Sequence, residues 1–185
     1  MLTRELKTRQ ECEDFVRGCT IMGTGGGGNP ARGLDKLTRA LDEGLRIGWT
    51  DTKQIPDDTW VVSPFLMGSI APKTSASLAE IKDLGLTKAR YTNIIMAAIK
   101  ELEIYTGKKI GAAIPGELGG ANTPEPVAQA ARLSIPCIDG DYAGRAIPEI
   151  AQMTPVLFDK PLTPLTSVDE WGNISIIKAA INEPM

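Results

Sequence analysis

The 185-residue chain is 42% hydrophobic and 23% charged, with 19 Gly and 13 Pro but only 5% aromatic residues, so an aliphatic-core domain with well-punctuated loops is expected, not a helical bundle. It has no histidine, which excludes any Ser-His, Cys-His or His-ligated metal mechanism built from its own residues. The balance of 20 Lys+Arg against 23 Asp+Glu leaves a net charge of -3 with no basic stripe for nucleic acid, and no apolar run is long enough to span a membrane.

The N-terminus is charged and lacks the apolar stretch of a secretory signal. Cys12, Cys19 and Cys137 are an odd number without Cys-x-x-Cys spacing, so reduced thiols in a cytoplasmic protein are expected, with neither a disulfide framework nor a zinc site. Thr8-Arg9-Gln10-Glu11 reads as a capping box opening a helix, with Gly18 as its stop. Cys12, Phe15, Val16 and Cys19 fall on one face of that helix, where the cysteines are core residues.

A glycine tract follows, Gly23-Thr24-Gly25-Gly26-Gly27-Gly28-Asn29-Pro30. Asn29 is placed to cap a second helix, with Pro30 at its first position and Leu34, Leu37, Leu41 and Leu45 as its buried stripe. Four successive glycines cost conformational entropy, which is tolerated where the backbone must approach something closely or take positive φ. The tract opens onto a helix N-terminus, a seat for an anion or a polarised carbonyl oxygen, and Arg32 in the first turn could add charge. It matches G-x-G-x-x-G trivially, and no Lys-Ser/Thr follows, so neither a dinucleotide fingerprint nor a P-loop is read here.

Asp57-Asp58 turns the chain into a strand at Trp60–Val62, followed by a loop carrying Met67-Gly68-Ser69; Ser69 has no base in sight. A short helix is expected over Ser77–Leu84 and a longer one from Asn93 to Thr106, stopped by Gly107. Ile110–Ile114 reads as a buried strand that runs into Gly116-Glu117-Leu118-Gly119-Gly120-Ala121-Asn122, with a helix to about Arg132. Ile135–Ile138 is read as a further strand ending in Asp139-Gly140-Asp141-Tyr142-Ala143-Gly144-Arg145. A short helix near Ile147–Ala151, a strand near Pro155–Phe158 and a hairpin, Leu165–Val168 with Ile174–Ala180, complete the chain. Alternating strands and helices argue a single α/β domain over residues 1–185, with a mixed, mostly parallel sheet flanked by helices and a C-terminal β-hairpin.

In an open α/β sheet ligands bind beyond the carboxyl ends of the strands. If the two buried strands are parallel neighbours, Glu117, Asn122, Asp139, Asp141 and Arg145 converge on one edge. Clustered carboxylates opposed by an Arg can hold an acid and a base together. The plainer reading has Asp139 and Asp141 making turn hydrogen bonds and Arg145 paired with Glu149. A metal held by these residues alone would need all-oxygen ligands and would be Mg²⁺ or Ca²⁺; no metal is assigned, and the cofactor is left open. Tyr142 and Trp60 could stack on a planar ring, though each is more often packing.

The three motifs, G-T-G-G-G-G-N-P-x-R-G, G-E-L-G-G-x-N and D-G-D-x-x-G-R-A-x-P-E, in this order and spacing, resemble the N-terminal domain of the S-methyl-thiohydantoin desulfurase family, long catalogued as a domain of unknown function near hydantoin-utilisation genes. The resemblance runs through Gln152-Met153 and the closing Asp169–Asn173 turn. Members of that family are longer and carry a smaller β-rich C-terminal domain, which is expected to be absent here, so the chain would correspond to the N-terminal half. The resemblance implies hydrolysis of a carbon–sulfur bond on a planar five-membered cyclic amide, with a small-molecule substrate and neither nucleic acid nor membrane as partner. It implies Asp139 or Asp141 as general base, Glu117 as acid, amides of Gly25, Gly26, Gly27 and Gly28 with Asn29 holding the carbonyl or developing charge, and Asn122 and Arg145 orienting the ring. A lone half would expose apolar surface, so a homodimer, or association with a separate C-terminal-domain chain, is expected. The competing readings are a non-catalytic anion-binding or regulatory module and, disfavoured by the missing lysine, a nucleotide-dependent enzyme.

Overall fold

Thr8 and Glu11 close the N-terminus of the first helix as the capping box requires: the Glu11 N–H donates to Thr8 Oγ1 (3.2 Å), and the Thr8 N–H donates to Glu11 Oε2 (3.1 Å). The computed structural model describes residues 2–68 and 74–180. After β1 (Arg4–Leu6), this helix, α1, spans Arg9–Met22. It runs past Gly18, which was expected to stop it, and is capped at Gly23. Gly18 is exposed and costs about 1 kcal/mol against alanine, while the next residue, Cys19, continues the buried stripe of Cys12 and Val16, and that packing keeps the helix going.

Helix α2 (Pro30–Asp42) begins as expected, with Asn29 Oδ1 accepting from the Ala31 N–H (2.9 Å) and Pro30 in its first turn. Leu37 and Ala40 are fully buried and Leu34 and Leu41 partly so; Leu45 packs on the same core from beyond the helix end. The remaining elements are β2 (Ile47–Trp49), β3 (Val61–Val62), α3 (Ser75–Asp83), α4 (Ile94–Thr106), β4 (Ala112–Ala113), α5 (Pro124–Leu133), β5 (Leu165–Val168) and β6 (Ile174–Ile177). Gly107 ends α4, as the sequence predicts, in the left-handed conformation; Asn93, expected as its first residue, is its N-cap. No helix among the described residues is long and apolar enough to cross a membrane.

The architecture is mixed α/β, but not one mostly parallel sheet. Among the described residues there are three two-stranded ladders, with β1–β2 and β5–β6 antiparallel and only β3–β4 parallel. The strand expected at Ile135–Ile138 is reduced to single-residue parallel bridges, Thr50 with Ile138 and Ala113 with Cys137. Even so, its backbone joins the pieces: Thr50 N–H donates to Cys137 O (2.7 Å), and Ile138 N–H donates to Ala113 O (2.8 Å). Proline explains the truncation. Pro64 and Pro115 follow β3 and β4 closely and Pro136 precedes the bridges, and none has an N–H to extend a ladder. The β1–β2 pair carries no alternating pattern and was not expected; Gly48 lets it close, since a Cβ there would lie 2.0 Å from Arg4 O.

Residues 124–130 of α5 are all buried, and they form the axis on which α2, β2 and β4 pack. Two of them are polar, Glu125 (1% exposed) and Gln129 (0%). Gln129 Nε2 donates to Glu125 Oε1 (2.6 Å), which also lies 3.7 Å from Lys36 Nζ. Gln129 in turn exchanges amide hydrogen bonds with Asn93, the cap of α4 (3.0 and 3.2 Å). A buried polar group is tolerated when so partnered, and here the partners tie α2, α4 and α5 together.

The strand expected near Pro155–Phe158 is instead a 3-10 turn over Thr154–Phe158, because Pro155 presets a helical φ in its first turn and Asp159 closes it in the left-handed region. The helix expected near Ile147–Ala151 is only a single 3-10 turn, Ile150–Gln152. The terminal hairpin forms, with Leu165 opposite Ile177 and Val168 opposite Ile174, but its second strand ends at Ile177, short of the expected Ala180. Asp169 Oδ1 holds its turn by accepting from the N–H groups of Trp171, Gly172 and Asn173. The side-chain hydrogen bond from Asn173 leads the causes that keep the Asp169 carboxyl below its usual value.

All three cysteines are free and buried. Burial pushes the thiols of Cys12 and Cys19 up to about 11 and that of Cys137 to about 12. A disulfide-exchange dye at pH 8 is therefore expected to leave the native thiols unreacted and to titrate all three in urea. Because the unfolded thiols ionise first, the unfolded state binds fewer protons above its own thiol pKa, and stability should fall as pH rises from about 9 towards 11. Urea midpoints measured across that range check the sign.

Candidate functional site

The three motifs meet. Gly27 O accepts from the N–H groups of Ala121 (2.9 Å) and Asn122 (3.0 Å), which docks the glycine tract on the turn that leads into α5. Gly27 has φ +74°, and a Cβ there would lie 2.3 Å from Gly119 Cα, so only glycine permits this backbone-on-backbone contact. A Cβ on Gly26 would lie 2.7 Å from Ala146 Cβ, which brings the third motif against the first.

Glu117 closes the triangle. It leaves the carboxyl end of β4 and is buried (9% exposed). Its Oε1 accepts from Asn122 Nδ2 (2.7 Å) and its Oε2 from the Ile147 N–H (2.7 Å). Asn122 Oδ1 in turn accepts from the Leu66 N–H (3.2 Å), so the loop after β3 joins the same network. Thr123 Oγ1 donates to Glu117 O (3.0 Å) and accepts from the Gly119 N–H (2.9 Å), folding the turn on itself. Both oxygens of Glu117 act as acceptors. Proton donation by this side chain would need a hydrogen on an oxygen that already receives one.

The glycine tract is in large part open to solvent, with Gly25, Gly26 and Gly28 exposed and Gly27 half-buried. The Gly26 N–H donates to Gly23 O (3.0 Å), whereas the N–H groups of Gly25, Gly27 and Gly28 meet no acceptor among the described residues. Asn29 uses its side chain to cap α2. At the N-terminus of α5 the amides of Ala121, Asn122 and Thr123 are all taken by backbone oxygens, whereas those of Gly25, Gly27 and Gly28 are not.

The third motif divides its carboxylates. Asp141 Oδ1 accepts from the N–H groups of Ala143 (2.7 Å) and Gly144 and so shapes its own loop. Asp139 is exposed; its N–H donates to Thr50 O (2.9 Å), and no hydrogen bond of its carboxylate is formed among the described residues. Arg145 is exposed, with Nε on Ala146 O (2.9 Å), and it makes no ion pair with Glu149 among the described residues. Cys19 reports on the assembly: after burial, the influences on its thiol are a side-chain hydrogen bond with Thr123, which lowers its pKa, its own backbone, and the charge of Asp141, which raises it.

Tyr142 packs beside Ile138 and burial raises its hydroxyl pKa, while Trp60 lies under Lys108 (5.9 Å to the ring centre). Tyr142 is thus part of the packing, whereas Trp60 is exposed. Ser69 lies outside the described residues. Sequence reasoning passed over Ser63, Leu66 and Ile147, whose contributions come from position at strand and loop ends; of these, only Ser63 carries a polar side chain that pattern reading could have flagged. Among the described residues no group of three or more Cys, Asp or Glu is placed to hold a metal ion. A groove of about 380 Å³ between α1 and α2, lined by Val16, Thr20, Ile21 and Leu34 with Glu13 and Arg17, contains none of the motif carboxylates.

Residues 10–179 match the family model described as S-Me-THD-like, N-terminal domain. No curated protein matches the chain. The crystal structure of a protein from Chromobacterium violaceum, a structural-genomics target, is similar with a TM-score of 0.67 and 23% identity; the similarity covers 99% of this chain and 47% of that one, so this chain spans about half the length of that relative. The likeness to that structure is one of fold.

The two kinds of glycine in the tract separate on substitution. A Cβ on Gly25 meets open space, so Gly25→Ala carries only the strain of positive φ, about 1–2 kcal/mol. Gly27→Ala adds a backbone collision with Gly119 and should cost more than Gly25→Ala; urea unfolding of the two variants measures the difference.

Proposed function

We propose a function from this premise: the chain belongs to the S-Me-THD-like, N-terminal domain family, whose model it matches over residues 10–179. The reading is hydrolysis of the carbon–sulfur bond of an S-methyl-thiohydantoin-like cyclic amide, giving a hydantoin and methanethiol. The observation that carries it is the meeting of the three motifs: the buried Glu117 carboxylate ties the second to the third through the Ile147 N–H, and Gly27 O ties the first to the second through the N–H groups of Ala121 and Asn122.

In this reading the unpartnered amides of Gly25, Gly27 and Gly28 receive the ring carbonyl and the negative charge that develops during attack. Asp139, whose carboxylate is not committed to the loop, takes a proton from water as its oxygen adds to the ring carbon bearing sulfur. The C=N electron pair moves onto the ring nitrogen during attack and returns as the carbon–sulfur bond breaks with its electrons on sulfur; the proton on Asp139 passes to the departing thiolate, and the remaining hydroxyl proton moves to the ring nitrogen, giving the C=O and N–H of the hydantoin. Glu117 acts as a positioning residue that holds Asn122 and the Ile147 amide, a change from the acid role that the resemblance implies. Asp141 shapes the loop and Arg145 lies at its exposed rim.

One observation favours a second reading, binding without catalysis: Asn29, Asn122, Glu117 and Asp141 are all engaged in internal hydrogen bonds. Reduced, buried thiols accord with a cytoplasmic setting. The expected self-association has its face on β6, whose Ile174, Ile176 and Ile177 are exposed along an outer strand. Sedimentation at high micromolar concentration should give a dimer, and a monomer there would refute the association.

Incubation with an S-methyl-thiohydantoin should release methanethiol, and Asp139→Asn should lower kcat by about 10²–10⁴-fold. Stabilisation by hydantoin without thiol release selects the binding reading. Neither stabilisation nor release from the wild-type chain would sink both.

A further inference from the structure

We propose that the Ser63 hydroxyl is a ligand-binding group that meets the adjacent C=O and N–H of a neutral cyclic amide; the ligand class rests on the functional reading above. Ser63 directly follows β3, at the carboxyl end of the parallel β3–β4 pair. Its Oγ is the one buried side-chain nitrogen or oxygen without a hydrogen-bond partner among the described residues. The residue itself is partly exposed, while Oγ is closed to solvent.

Its surroundings belong to the motif assembly. Gly116, at the same end of β4, is so close that a Cβ there would lie 2.9 Å from Ser63 Oγ and 2.6 Å from Met153 Cε. Glu117 is the next residue, and the loop that carries Ser63 is tied to Asn122 through the Leu66 N–H. The absence of a side chain at Gly116 therefore leaves room beside the hydroxyl that a Cβ would fill.

A buried hydroxyl that makes no hydrogen bond destabilises the fold, and native structures seldom keep one without a use. A hydroxyl both donates and accepts, which suits the alternating C=O and N–H edge of a cyclic amide. The neighbouring carboxylate of Glu117 disfavours an anion at the same point and favours a neutral ring.

The role predicts opposite effects on the empty and loaded protein. Ser63→Ala should leave the melting temperature of the ligand-free chain unchanged or raised, because an unpaired polar atom is removed, and should weaken hydantoin binding about tenfold by calorimetry. A lower melting temperature, or failure of the variant to fold, would assign the hydroxyl to structure and overturn the proposal. Equal hydantoin affinity in variant and wild type would overturn it too. Succinimide, which lacks the second ring nitrogen, is the parallel probe. If the wild type binds succinimide but not hydantoin, and Ser63→Ala weakens that binding, the functional reading fails and the Ser63 assignment stands. A wild type that binds neither probe ends both.

Discussion

A buried carboxylate must find hydrogen-bond donors, and the way Glu117 finds them organises the molecule's chemistry-bearing edge. One oxygen reaches five residues along the chain to Asn122; the other reaches thirty residues along to the Ile147 amide. Asn122 passes the connection on to Leu66. Segments that follow β3, β4 and the Cys137–Ile138 bridge are thus held at one edge by a few charge-assisted bonds, although the strands themselves are too short to fix their loops. Removal of the carboxylate would orphan two donors at once, and this gives the position its structural weight irrespective of any reaction.

The glycine tract depends on the same platform. Its conformational freedom is spent first on packing, because Gly27 lies against Gly119 and gives its carbonyl to two amides of the turn before α5. Only afterwards do the amides of Gly25, Gly27 and Gly28 remain for a ligand. A loop anchored through its carbonyl and open at its amides is preorganised: the entropy of ordering it falls on folding and not on binding.

Beneath the edge, α5 supplies a rigid floor. A helix buried on every side is expected to be apolar, yet Glu125 in its first turn and Gln129 one turn on are buried, partnered by Lys36 and by the cap of α4. These partners lie far apart in sequence, so the network also specifies how α2, α4 and α5 pack, and through α5 it fixes where Asn122 and Thr123 stand.

Local signals were legible in the sequence because their physics is local. The capping box at Thr8–Glu11, the Asn29 cap, the stop at Gly107 and the terminal hairpin depend on residues a few positions apart. The three motifs could be recognised as a set for the same reason, and their family follows from them. What needed tertiary structure was any outcome decided by a partner distant in sequence. Helix α1 overrides Gly18 because Cys19 has a core to enter; β1 pairs with β2 because Gly48 admits it; the expected parallel sheet shrinks to short ladders and bridges bounded by proline. Within the site, sequence could name Glu117, Asp139 and Asp141 as chemically capable, but only the fold decided that Glu117 is held on both oxygens, that Asp141 is spent on its own loop and that Ser63 stands beside Gly116 unpaired. A hydrogen bond belongs to two groups, and a single stretch of sequence displays only one of them.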